Sequence, residues 1–249
     1  MTTNNDRYIY EVIRIIDTKP LFLEEHFERL EATLKLQGAP DVLTSDKFAS
    51  DMADFIKSEA IVNDNVKFIL RLTETGADYY FEHLTGHYPS EKEYAEGVNT
   101  QLLHAMRDNP HAKVHNQALR ELANKIIEEN NLWEVILVDD EGFVTEGSRS
   151  NIFFIRDRKV ITCPSEGVLL GVTRQQIIAA CEDNGIAVVE EPIAAARLGE
   201  YDAAFVSGTS PKVLPIAKVG EVGFDVNEAT LRNVMRLFDE RIDRYLEEH

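Results

Sequence analysis

Cysteine is nearly absent: Cys163 and Cys181 are the only two in 249 residues, and they form no Cys-x-x-Cys pair. That argues against a disulfide framework and fits reduced thiols in a cytosol. No apolar run approaches the roughly 20 residues that a membrane span needs. The opening stretch, Met1 to Arg7, is polar and lacks the apolar segment of a secretory signal. A soluble, cytoplasmic protein is expected, with no membrane partner. Positive charge is scarce as well, with 26 Lys and Arg against 44 Asp and Glu and a formal net charge of −18. Such a surface repels a phosphate backbone, so nucleic acid is excluded as a generic partner. Any small anion must be caught by a few local cations and backbone N–H groups. Internal repeats, low-complexity tracts, Gly-x-Gly-x-x-Gly and P-loop patterns are all missing.

The rest is an ordinary globular balance, 44% hydrophobic and 28% charged, in a chain long enough for one large or two modest domains. Tyr8 to Ile16 reads as a strand and Phe22 to Leu36 as a helix with apolar residues at helical spacing. A second helix is expected from Ser45 to Glu59, started by Ser45 or Asp46. Val66 to Thr73 and Asp78 to Leu84 read as a hairpin around Thr75-Gly76-Ala77. Tyr88-Pro89-Ser90-Glu91 breaks the pattern, which places a boundary between a small α+β domain, 1–92, and a larger β-rich domain, 93–249. In the second part, Gln117 to Asn130 reads as a helix and Trp133 to Asp139 as a nearly continuous apolar strand, as a doubly covered strand should. Strands Phe143 to Glu146 and Asn151 to Arg156, helix Thr173 to Asn184 closed by Gly185, strands Ile186 to Val189, Ala203 to Ser207 and Lys212 to Ala217, and a helix from Asn227 to Glu247 complete the reading.

Four features carry chemistry. Lys113 lies in Asn109-Pro110-His111-Ala112-Lys113-Val114-His115-Asn116, between a loop and a helix, where an amine can project into a cleft. Lysine forms Schiff bases when its pKa is depressed, although most lysines solvate a surface. Glu146 ends a strand in Val144-Thr145-Glu146-Gly147-Ser148-Arg149-Ser150-Asn151, either as an exposed hairpin acid or as a carboxylate aimed at a heterocyclic nitrogen. Gly171-Val172-Thr173-Arg174 opens a helix and offers N–H groups and a dipole to an anion, while a plain N-cap is the commoner use of such a threonine. Ser207-Gly208-Thr209-Ser210 is a second hydroxyl-bearing turn, in which Gly208 lets backbone approach closely. Lysine, acid and two turns in this order make a sharper pattern than any one of them.

With these motifs the chain resembles the class-IV aminotransferases, the fold-type IV enzymes of pyridoxal 5′-phosphate (PLP). That family includes branched-chain and D-amino-acid aminotransferases and 4-amino-4-deoxychorismate lyase. The resemblance runs from about Tyr8 to the C-terminus. It is carried by Glu146 to Phe153, Leu170-Gly171-Val172-Thr173-Arg174, Ser207-Gly208-Thr209-Ser210 and His26-Phe27-Glu28-Arg29-Leu30. It implies an α/β (α+β), two-domain, D-amino-acid-aminotransferase-like fold and a homodimer. It implies that Lys113 forms the Schiff base and moves the substrate proton, and that Glu146 holds the pyridine nitrogen protonated. Arg29 is expected to grip the phosphate in a fork, with Val172, Thr173, Gly208 and Thr209 completing the cup. Ser148 and Asn151 join the cofactor set, and Tyr10 and Ser210 face substrate.

The favoured activity is transfer of an amino group between an amino acid and a 2-oxo acid. The rivals are a lyase releasing pyruvate and a non-catalytic protein on the same fold. Family members carry an additional strand before Tyr10 to Arg14, and Asn5-Asp6-Arg7 stands there instead, so a shortened N-terminus is expected. Lys113-Val114-His115-Asn116 has the Lys-x-x-Asn spacing associated with the D-amino-acid and lyase branches. No Arg-x-His carboxylate trap follows Gly76. Arg107, Arg149 and Arg174 are possible substitutes, with surface or loop roles favoured for each. His83 and His87 have i, i+4 spacing but lie in a strand and loop, so no metal is expected.

Overall fold

Residues 8–74, 76–107 and 110–249 are described in a computed structural model. The expectations for Asn5 to Arg7, for Thr75 in the hairpin turn and for Asn109 fall outside these residues. The chain divides into two compact units, one of residues 1–87, 111–116 and 242–249, the other of residues 88–110 and 117–241.

The first unit is a four-stranded antiparallel sheet under two helices. It contains β1 (Ile9–Ile16), β2 (Lys19–Pro20), α1 (Leu23–Leu36), α2 (Ser45–Ser58), β3 (Asp64–Thr73) and β4 (Gly76–Leu84), with strand order β2-β1-β3-β4. Strand alternation sorts β1 into two faces. Ile9, Ile13 and Ile15 pack into a core with Leu30, Leu34, Phe48, Met52 and Phe68. Glu11 shares their parity and is fully buried. Tyr10 points to the opposite face. Helix α1 begins at Phe22 without a side-chain cap. Tyr245 does that work: its phenol oxygen accepts from Leu23 N (3.1 Å) and its hydroxyl donates to Glu24 (2.7 Å). In α2 the cap is Thr44, whose hydroxyl accepts from Lys47 N at 3.3 Å, rather than Ser45 or Asp46. Thr44 is the last residue with extended backbone, so its oxygen can turn back on the helix end.

The second unit holds a ten-stranded mixed sheet. Its elements are α3 (Glu91–Glu96), β5 (Val98–His104), α4 (Gln117–Asn130), β6 (Glu134–Val138), β7 (Phe143–Gly147), β8 (Asn151–Arg156), β9 (Lys159–Thr162), α5 (Val172–Asp183), β10 (Val188–Glu190), β11 (Ile193–Ala194), β12 (Ala203–Gly208), β13 (Lys212–Val219), β14 (Val222–Gly223) and α6 (Ala229–Glu248). The strand order is β10-β9-β8-β12-β13-β5-β6-β7-β11, with β14 on β13. The last turns of α6, from Ile242, belong to the first unit. The break at Tyr88 to Glu91 is the start of α3: Ser90 caps it in a capping box with Glu93. Strand β5, which the sequence reading passed over because its polar residues blur the alternation, pairs in parallel with both β13 and β6. Strand β6 is buried throughout, as its apolar run implies, but it starts with Glu134, 3% exposed.

Candidate active site

In the first unit the segment around Lys113 is sewn to the free margin of β1. Tyr10 N donates to Lys113 O (3.2 Å), His115 N donates to Tyr8 O (2.9 Å), and Ile9 and Val114 form an antiparallel bridge. Thr33 in α1 accepts from Lys113 N at 3.3 Å. The backbone of this lysine is therefore fixed from two sides, and its Nζ sits 4.7 Å from the centre of the Tyr10 ring. Around it lies an aromatic and cationic group. Tyr8 stacks on His115 at 4.7 Å. Lys67 Nζ donates to Tyr8 Oη at 3.0 Å and stands 5.6 Å from the Tyr10 ring centre. The Arg71 guanidinium is 6.0 Å from the Tyr8 ring. Neither Lys67 nor Arg71 forms an ion pair with a described carboxylate, in a protein carrying 44 acidic residues.

Arg29 is held differently from the sequence expectation. Its Nε donates to Glu11 Oε1 (3.0 Å) and its Nη2 to Glu11 Oε2 (2.5 Å), with Nη2 also 3.4 Å from His26 Nδ1, so this edge of the guanidinium faces protein and Nη1 remains for an anion. His26 completes the cluster: its Nδ1–H donates to Glu11 Oε2 at 2.7 Å. Burial opposes the Glu11 charge, but the Arg29 guanidinium and the His26 hydrogen bond win, and its carboxyl is held at about 2. Burial pushes His26 below its ordinary value, with Arg29 adding to the effect against the pull of Glu11. Glu11 and Arg29 form one braced unit, which the sequence reading missed because it took Glu11 as part of a plain strand.

In the second unit, the residues quoted from 146 to 151 do converge. Glu146 is buried at 3% exposure at the end of β7. Arg107 Nε lies 2.8 Å from Glu146 Oε1, and Arg107 Nη2 donates to Ser148 O at 3.0 Å. Leu169 N donates to Glu146 Oε2 at 3.3 Å. A buried carboxylate needs such compensation, and it is thereby aimed rather than left as an exposed hairpin acid. The Ser148 hydroxyl is donated to Glu134, and Asn151 Nδ2 is donated to Leu169 O (2.8 Å). A side chain at Gly171 would stand 2.1 Å from Asn151 Oδ1, so glycine lets this asparagine bind the loop against the start of α5.

Gly171 occupies the N-cap position and Thr173 lies two residues inside α5, so Thr173 is not the cap. The ladder begins with Gln175 N to Gly171 O at 3.0 Å. The N–H groups of Val172, Thr173 and Arg174 precede it at the positive end of a 12-residue helix. Gly208 ends β12 opposite Lys212 of β13, with Thr209 and Ser210 in the connection. Of the other arginines, Arg149 reaches Asn124, and Arg174 is buried, donating to Cys163 O at 3.1 Å and pairing with Glu190 at 2.9 Å. Arg107 is the one that serves the acid.

Cys163 and Cys181 are buried free thiols. Burial raises both pKa values, that of Cys181 to about 12, so neither is a nucleophile. His83 pairs with Asp64 at 2.9 Å. Among the described residues no group of three or more His, Cys, Asp and Glu could hold a metal, and no helix is long and apolar enough to cross a membrane.

The family described as amino-transferase class IV matches residues 8–219, and the chain belongs to it. Its fold is that of the fold-type IV PLP enzymes. A D-alanine aminotransferase of Bacillus licheniformis is 26% identical over 227 residues, 85% of this chain and 78% of that protein. A provisionally named branched-chain-amino-acid aminotransferase of Methanocaldococcus jannaschii is 37% identical over 87 residues, 34% of this chain and 30% of that protein. A crystal structure from Legionella pneumophila, provisionally named a 4-amino-4-deoxychorismate lyase, shares the fold with a TM-score of 0.85 at 20% identity, covering 94% of this chain and 91% of that one.

Proposed function

We propose that this chain is a PLP-dependent aminotransferase acting on an amino acid and a 2-oxo acid, with Lys113 as the Schiff-base lysine. The observation that carries it is the fixing of Lys113 against β1 and Thr33 with its amine over Tyr10. An ordinary surface lysine is not anchored in this way.

The residues suit the cofactor. Arg29, braced by Glu11, offers its remaining Nη1 edge to a phosphate. The N–H groups of Val172 and Thr173, with the turn at Gly208 and Thr209, offer donors to the same kind of anion. Glu146, held by Arg107 and the Leu169 N–H, presents a fixed carboxylate to a protonated pyridine nitrogen. When bound, PLP supplies an electron sink for charge at the substrate Cα. With that group bound, the Lys113 amine would take the proton from the substrate Cα and return it to complete the transfer. Lys67 and Arg71, cations beside Tyr8, hold the substrate carboxylate, taking the place of the Arg-x-His trap that the sequence lacks. Ser148 and Asn151 act on the cofactor by shaping its surroundings, and Tyr10 and Ser210 touch substrate. The active form is a homodimer in the cytoplasm.

Lys113→Ala, loaded with PLP, tests it. The visible absorbance of the bound cofactor and nearly all turnover are lost, and borohydride traps no cofactor on the protein. Trapping at another lysine overturns the assignment. Release of pyruvate from 4-amino-4-deoxychorismate without a 2-oxo acid acceptor would instead select the lyase reading, which uses the same lysine.

A further inference from the structure

We propose that Glu134 is a positioning residue for Glu146: a buried carboxyl group that sets the Gly147 to Ser150 turn and, through it, the aim of the ring acid. The inference rests on the reading of Glu146 as the partner of the PLP ring nitrogen.

Glu134 opens an otherwise apolar strand and is 3% exposed. No cation pairs with it among the described residues. Its two oxygens are met by four donors instead. Oε1 accepts from the Ser148 hydroxyl (2.6 Å) and from Val135 N (2.9 Å). Oε2 accepts from Arg149 N (3.1 Å) and from the Ser150 hydroxyl (3.0 Å). Three of the four come from the turn that joins β7 to β8. A buried carboxylate without a counter-ion is costly unless hydrogen-bonded in this way.

The turn has been fitted around it. A Cβ at Gly147 would stand 2.1 Å from Ser150 Oγ and 3.1 Å from Glu134 Oε2. The turn also lies on the line of force to Glu146. Ser148 O accepts from Arg107 Nη2, and Arg107 Nε lies 2.8 Å from Glu146 Oε1. Displacement of Ser148 therefore moves the arginine that orients the acid. Glu146 and Asn151 also flank the turn directly in sequence.

The donor set makes the carboxylate chemically specific. Each oxygen accepts one backbone N–H, a group that cannot become an acceptor. Glu134→Gln must put its NH2 against Val135 N–H or Arg149 N–H, whichever way the amide lies. The near-isosteric variant therefore loses one of these two backbone hydrogen bonds, and the Ser148 or Ser150 hydroxyl on the amide side must turn from donor to acceptor.

The test compares two probes on the full-length apoprotein: PLP, and 1-deazapyridoxal 5′-phosphate, in which carbon replaces the ring nitrogen. The ratio of their dissociation constants reports the Glu146 contact with that nitrogen, while phosphate and Schiff-base contributions cancel. In Glu134→Gln the preference for PLP falls about tenfold, the value of one charge-assisted hydrogen bond. Equal weakening of both probes, with the preference unchanged, would show that Glu134 supports only the fold and overturn the proposal. If Glu134→Gln does not fold, Ser148→Ala/Ser150→Ala, which keeps both backbone hydrogen bonds, is read by the same ratio with the same two outcomes. A wild-type protein that binds PLP but shows no preference over the deaza probe would overturn the reading of Glu146 itself, and this proposal with it.

Discussion

Replacing Glu11 by Gln is the sharpest probe of how the first unit holds Arg29. The carboxyl moves from an ordinary 4.5 to about 2, and at about 1.4 kcal/mol per pH unit its partners favour the charged form by about 3 kcal/mol. Glu11→Gln also leaves Arg29 and His26 facing an amide in a buried site, and removal of one partner of a buried pair typically costs about 3–5 kcal/mol. Urea unfolding of the apoprotein at pH 7 should register a loss in that range. The pH dependence gives the argument its sign. A depressed carboxylate pKa contributes stability fully above the unfolded value of 4.5, and that contribution is lost as pH falls toward 2. The share of the gap between wild type and Glu11→Gln that comes from Glu11 ionisation should therefore be constant above pH 5 and smaller by about 1 kcal/mol at pH 4. His26, also depressed, makes the wild type lose stability as pH falls below its ordinary 6.5, because the unfolded chain binds the extra proton. A gap of under about 1 kcal/mol at pH 7, or one that ignores pH between 7 and 4, would refute the buried-pair reasoning.

Two further outcomes follow from the site. Glu146→Gln keeps size and one hydrogen bond to Leu169 N but removes the carboxylate proposed to face the ring nitrogen. Its single-turnover transfer rate at saturating PLP should fall at least about tenfold, or 1.4 kcal/mol, and an unchanged rate would reduce Glu146 to a structural acid. Lys67→Met keeps the apolar stem and removes the cation that borders Tyr8 and Tyr10. The KM for the 2-oxo acid should rise about tenfold with kcat little altered, as for loss of a uniform binding contact, whereas an unaffected KM would assign the substrate carboxylate elsewhere.

Local signals in the sequence were enough for most of the scaffold. Alternating β-branched and aromatic residues mark β1 and β3, an apolar 3.6-residue repeat marks α1 and α2, and Gly185, with φ of +72°, closes α5 as its glycine implies. These signals are carried by neighbours a few residues apart, which is why one chain suffices to read them. The order of Lys113, Glu146 and the two glycine-bearing turns was legible for the same reason, since each motif is a short continuous stretch. The partners of those residues were not. Glu11 meets Arg29 from 18 positions away, because the register of β1 under α1 puts a charged side chain in an apolar row. Glu134 sits inside a segment that reads as a nearly continuous apolar strand, and only the return of the chain through β7 brings the 148–150 turn onto its two oxygens. Arg107, assigned to surface or loop, finds Glu146 because the parallel pairing of β5 with β6 sets the end of one strand beside the hairpin of the next. Residue type and spacing thus determined which groups could do chemistry. Which of them are charged, braced and aimed was decided by tertiary packing, because desolvation and hydrogen-bond partners exist only once distant segments are brought together.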